Sequence, residues 1–160
     1  MLIFFDTEFC ELKENAKLIS IGFASEDGRE FYAELTDTYQ SNDLSEFAIE
    51  FVTPFLTGGD ALKTQLELSG SLKAWVESFN VEVTLATDNV YWDWPYITNL
   101  LNIWPANLSK ECFLLNLNYL KDADLYFDTV KHAYARGLKR HNALDDARAN
   151  RLGWLESELS

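Results

Sequence analysis

Asp6-Thr7-Glu8 follows an apolar run, Met1 to Phe5, and sets two carboxylates two positions apart. In an extended chain such residues point to the same side, roughly 6.6 Å apart along the strand. Carboxylates facing one way repel each other unless solvent screens them or a hard divalent cation binds between them. Oxygen-only sites of that kind suit Mg²⁺ or Mn²⁺. For an isolated pair, a solvated strand end is the alternative. A second group lies within Asp88 to Ile97, where Asp93 stands between Trp92 and Trp94 and two residues ahead of Pro95. Asp93 suits a helix N-cap, which accepts backbone N–H bonds and is favoured by the helix dipole. The same fixed direction also suits a carboxylate that meets a cation through water, and Asp88 competes for that role. The third group, His141 to Ala147, sets a histidine five residues before Asp146. With an ordinary pKa near 6.5, histidine can take a proton from water at neutral pH, as a general base must. A capped helix start is the alternative there.

The elements that must position these groups read as mixed α/β. Met1 to Asp6 reads as a strand buried on both faces. Lys17 to Ala24 and Arg29 to Leu35 read as two further strands, antiparallel across the turn Glu26-Asp27-Gly28. Leu44 to Phe51 suits a helix ended near Pro54, and Thr57 to Asp60 a loop. From Ser71, the apolar residues Leu72, Trp75, Val76 and Phe79 share one helical face, and the helix ends near Asn80. Val81 to Ala86 is a short strand. Ile97, Leu100, Leu101 and Trp104 repeat the helical spacing behind Pro95, which suits a first turn. Cys112 to Leu117 reads as a strand, and Asp124 to Arg136 as a helix stopped at Gly137. Asn142 to Glu158 forms the last helix, with Ala143, Ala147 and Asn150 on the side of Asp146. Those small side chains let it approach the strand bearing Asp6 and Glu8. The expected architecture is a mixed five-stranded sheet flanked by helices, with the strand order of a ribonuclease H-like fold, in one domain over residues 1–160.

Composition limits the partners. Thirteen basic and 26 acidic residues leave a formal charge of −13, the wrong sign for a broad nucleic-acid track. A polyanion could still be met through bound divalent cations. Eleven Phe, seven Tyr and five Trp exceed the needs of a core this size, which hints at an aromatic surface for stacking or for another subunit. Cys10 and Cys112 match no zinc spacing and read as buried thiols in a reducing compartment. Asp6 ends the first apolar run before it reaches signal-peptide or membrane-spanning length, so the expectation is a cytoplasmic protein without membrane association.

Together the three groups resemble the DEDD superfamily of 3′→5′ exonucleases. Asp6 and Glu8 match its first motif, D-x-E. Asp88 to Ile97 resembles the second, H-N-x-x-F-D-x-x-x-L, with Asp93 at the ligand position, though Asp88 replaces a histidine and Trp92 a Phe or Tyr. His141 to Ala147 matches the third, H-x-A-x-x-D-A, and its histidine marks the histidine branch. Leu18 to Phe23 with Glu26 to Tyr32 is similar to the small bacterial exoribonucleases related to the mycobacterial 3′→5′ exoribonuclease domain.

That resemblance implies hydrolysis with two divalent cations, Mg²⁺ or Mn²⁺, about 3.5–4 Å apart. Asp6 would bridge them, Glu8 and Asp146 would hold the one that activates water, Asp93 would hold the other through water, and His141 would take the proton. The implied partner is a single-stranded nucleic acid 3′ end, RNA favoured, shortened to nucleoside 5′-monophosphates, and the implied assembly is a homodimer. Phe9 would lie against the terminal base or sugar, Asn89 would bond the terminal nucleotide, and Arg140, with Arg136 and Lys139, would meet phosphate. Core packing, an ordinary turn and a solvated helix end are the respective alternatives, and Trp92 and Trp94 suit core. A DNA exonuclease of the same fold is the near rival, and a non-catalytic interaction module is the rival from another class.

Overall fold

A computed structural model describes residues 1–116 and 118–159. Strand β1 (Leu2–Phe9) lies between β2 (Leu18–Ser25), antiparallel to it, and β5 (Val83–Thr87), parallel to it. Outward from β2 come β3 (Glu30–Leu35), antiparallel, and the two-residue β4 (Leu62–Lys63), parallel to β3. Outward from β5 comes β6 (Leu108–Leu114), parallel. The sheet is therefore mixed, with order β4-β3-β2-β1-β5-β6. It has six strands rather than the expected five. Leu62 and Lys63 form the extra edge, too short to show alternation in the sequence.

Helices α1 (Gln65–Glu77), α2 (Val90–Leu100), α3 (Ala123–Ala135) and α4 (Ala143–Leu159) flank the sheet. Alternation along β1 decides what each face carries. Ile3 and Phe5 join Leu68, Leu72 and Val76 of α1 and Ile97 of α2 in one core, whereas Phe4 joins Tyr126 of α3 and packs near Trp154 of α4 in another. All eight residues of β2 are buried, as in a strand covered on both sides.

Several expected elements moved. β1 runs on to Phe9, so Asp6 and Glu8 lie within the strand rather than at its solvated end, and the pairing shifts between Glu8 and Phe9. α1 starts at Gln65, earlier than Ser71, because Thr64 and Glu67 form a reciprocal capping box. The helix expected at Leu44 to Phe51 is a π-helical turn, Ala48–Val52, followed by a 3-10 turn, Thr53–Phe55, and Gly59–Ala61 makes another in the expected loop. α2 begins at Val90 and ends at Leu100, placing Pro95 inside it rather than in a first turn. The ring gives up one helical N–H bond there. Trp104 lies beyond that helix, against Trp94, and donates its indole N–H to the Leu108 carbonyl at 2.9 Å. The sixth strand sits earlier than Cys112 to Leu117, and Leu117 lies outside the described residues. Among the described residues no helix is long and apolar enough to cross a membrane.

Candidate functional site

One cleft of about 650 Å³ opens at the ends of β1 and β5 and the starts of α2 and α4. Asp6, Glu8, Asp93, Asp146 and His141 all line it, as do Phe9, Asn89 and Arg140. The eight side chains singled out from the sequence therefore share one wall system, from segments up to 140 residues apart.

Close packing sets the distance between its two halves. Asp6 pairs with Gly22 across β1 and β2. A β-carbon at Gly22 would lie 2.3 Å from the Leu144 nitrogen and 2.4 Å from the Ala143 carbonyl carbon, so only glycine lets the start of α4 rest on the sheet here. Ala143 and Ala147 are fully buried in that contact. His141 takes a left-handed backbone conformation, φ 67°, immediately before the helix, the kind of strain that clusters at functional sites.

Two of the carboxylates, Asp93 and Asp146, are held by hydroxyl donors from residues that the sequence alone did not single out. Asp93 sits in the first turns of α2, but Asn89 is the N-cap, which replaces the capping reading of Asp93. Its two oxygens instead accept hydroxyl bonds from Thr7 at 2.5 Å and Thr87 at 2.6 Å. Thr7 is the middle residue of Asp6-Thr7-Glu8, and it faces the opposite way from its neighbours, toward α2. Asp146 accepts from the Tyr134 hydroxyl at 2.6 Å and from the His141 backbone N–H at 2.9 Å. Nothing in the spacing distinguishes Tyr134 from the other tyrosines. The His141 Nδ1 lies 4.0 Å from a Glu8 oxygen, and the imidazole meets the Phe47 ring edge-on at 4.9 Å between centroids.

The charges are crowded and poorly hydrated. Burial, then the neighbouring Asp93, Asp146, Glu8 and Asp88, raises the Asp6 carboxyl well above its ordinary range. Burial and then Asp146 push Glu8 up to about 9. Asp93 rises to about 7 through burial, against the opposing hydroxyls of Thr7 and Thr87. Asp146 rises to about 6 for the same reason, against Tyr134 and the His141 N–H. Burial and then the Arg140 guanidinium lower His141, which favours the neutral imidazole at pH 7.

Two sets of donors could each hold a metal ion: Glu8, His141 and Asp146, and Asp6, Asp88 and Asp93. Within each set the ligand atoms lie within 4.8 Å of one another. Asp88, a competitor for the place of Asp93 in the sequence, therefore stands beside it. Oxygen-rich donors fit Mg²⁺ or Mn²⁺, and the raised carboxyl pKa values fit a site built to be neutralised by cations. No protein-family model matches the chain, and no curated protein matches it. What fold and site define is an α/β protein whose mixed six-stranded sheet, flanked by helices, presents acidic clusters that could bind metal.

Proposed function

We propose that this chain is a metal-dependent 3′→5′ exonuclease of the histidine-branch DEDD type on a ribonuclease H-like fold. The proposed substrates are single-stranded or short RNA 3′ ends, released as nucleoside 5′-monophosphates. One observation carries the reading: Asp6, Glu8, Asp93 and Asp146 converge with His141 in one cleft, in two sets of metal-ligand reach.

Asp6, Asp88 and Asp93 would hold one divalent cation, and Glu8 and Asp146, beside His141, a second. Such cations supply charge neutralisation for the attacking and leaving oxygens of a phosphodiester. The remaining work falls to the chain itself. Thr7 and Thr87 fix the Asp93 carboxylate, and Tyr134 fixes that of Asp146, before any ligand arrives. His141, neutral and steadied by Phe47, accepts the proton of the attacking water. Phe9, stacked on Tyr96 at 5.7 Å and near Trp92, offers the terminal nucleotide an aromatic wall, and Asn89 offers an amide. Arg140 brings positive charge to the cleft mouth, where a phosphate would lie.

The test is incubation of 5′-labelled single-stranded RNA and DNA with Mg²⁺ or Mn²⁺, using wild type, Asp6→Ala and His141→Ala. Metal-dependent shortening by wild type alone supports the reading, faster on RNA than on DNA. Equal activity in all three proteins, or none in any, overturns it. A homodimer is part of the proposal, and sedimentation velocity at two concentrations tests it.

A further inference from the structure

A second cavity of about 370 Å³ adjoins the acidic cleft, and Asp88, Tyr134, Arg140 and Asn150 line both. It runs out over α3, where Phe127 and Lys131 form its outer wall with Tyr134. These three fall at i, i+4 and i+7, so one helical face presents an aromatic ring, an ammonium and a second ring in a row. Phe127 is 48 % exposed although it directly follows the buried Tyr126, against which its ring packs edge-on.

Two cations, Lys131 and Arg140, line this cavity beside one carboxylate, Asp88, whereas the molecule as a whole is acidic. Six of the thirteen basic residues lie between Lys131 and Arg151, a stretch whose carboxylates are Asp145 and Asp146 alone. Arg148 is occupied by Glu30 and Asp145, and Arg151 by the backbone carbonyls of Ser25 and Glu26. Among the described residues, Lys131 and Arg140 have no carboxylate within ion-pair distance. Both line the second cavity. Pockets that accept small ligands start at about 300 Å³, so the space suits one nucleotide unit.

We propose that this second cavity seats the penultimate nucleotide of a single-stranded substrate, Phe127 stacking on its base and Lys131 and Arg140 meeting the phosphate. The inference rests on the exonuclease reading above and extends it. An aromatic ring beside cations is the sequence-tolerant way to hold a single strand, and the cavity continues directly from the site that would hold the terminal residue. It accounts for how a protein of net charge −13 engages a polyanion: the grip is short, local and next to the metal ligands.

The experiment compares two substrates in Mn²⁺: a single-stranded oligonucleotide, and the 4-nitrophenyl ester of a nucleoside 5′-monophosphate, which has no penultimate nucleotide. Phe127→Ala should lower the ratio of kcat/KM on the oligonucleotide to that on the ester by about tenfold, the order expected for one lost base stack. Lys131→Ala should reduce the slope of log affinity against log salt for the oligonucleotide by about 0.7, one phosphate contact on a single strand. Thermal unfolding of each variant checks folding, and the surface position of both side chains makes them tolerant sites. Wild-type ratios and slopes in both variants would overturn this inference alone. If wild-type protein hydrolyses neither substrate, the exonuclease reading falls and this inference falls with it.

Discussion

Gly22→Ala is a demanding perturbation, because it replaces no ligand and no donor and acts only through packing. The new β-carbon would stand 2.3 Å from the Leu144 nitrogen and 2.4 Å from the Leu144 Cα, both backbone atoms that no rotamer change can move. Ordinary contact begins near 3.4 Å, so the start of α4 has to retreat by about 1.1 Å, the difference between those distances. Overpacking of that kind costs about 1–3 kcal/mol. At about 2–4 °C per kcal/mol for a domain of this size, Tm should fall by about 2–12 °C. His141 and Asp146 ride on the displaced segment while Asp6 and Glu8 stay in β1, so the separation between ligands changes by a similar distance. A misplacement near 1 Å costs on the order of 10²-fold in rate. The assays are thermal unfolding, Mn²⁺ titration by calorimetry, and turnover of labelled RNA. Gly70→Ala is the control: that glycine is exposed in α1 with nothing within 4 Å of an added carbon, and alanine there should stabilise by about 0.5–1 kcal/mol. A Gly22→Ala protein with wild-type Tm and wild-type Mn²⁺ affinity would refute the claim that helix–sheet contact sets the site.

Stability of the metal-free protein should fall as pH rises from about 5 to 9. Glu8, Asp93 and Asp146 carry folded values of about 9, 7 and 6 against ordinary carboxyl values near 4, so their contribution is complete below pH 4 and is lost as pH passes each folded value. The lowered His141 works in the opposite direction below its ordinary 6.5, and the lowered Asp27, Asp43, Glu67 and Glu77 act only in acid. Saturating Mn²⁺ should reverse the trend, by about 2.7 kcal/mol at a hundredfold excess over Kd; thermal scans in chelator showing a flat or rising Tm would contradict this. Replacing Thr7 and Thr87 together by valine removes both donors to Asp93, each worth about 1.5–3 kcal/mol toward a charged partner, and should weaken Mn²⁺ binding with little change in shape. Unaltered calorimetric affinity would show that these hydroxyls do not prepare the ligand. Asp93→Asn should abolish turnover while Asp88→Asn, at an exposed position, leaves a measurable fraction; the reverse order would exchange their roles.

The residues of the site were legible where chemistry and spacing coincide. D-x-E on a strand and a histidine five residues ahead of Asp146 were readable because strand period and helix start each constrain side-chain direction. The small residues of α4 announced a close helix, but its counterpart, Gly22, looked like one more strand residue. Only the pairing of β1 with β2 brings it opposite Asp6. The capping alternative for Asp93 followed from Pro95, which suggested a later helix start than Val90, and the donors that hold its carboxylate, Thr7 and Thr87, lie on two other segments. Tyr134 was invisible for the same reason: its role comes from the crossing of α3 and α4. The start of α1 was placed too late, at Ser71, because its apolar periodicity begins there, whereas the helix is started by the Thr64-x-x-Glu67 capping box.

A single-stranded RNA carrying distinguishable labels on its two ends distinguishes a metal-dependent centre acting at a 3′ end from any other mode of cleavage. With Mn²⁺ present, the 3′ label should leave first, as a nucleoside 5′-monophosphate, while the 5′ label passes down a ladder of shortening strands, and chelator should stop both. Release of the 5′ label first, internal fragments without a ladder, or turnover indifferent to chelator would contradict it.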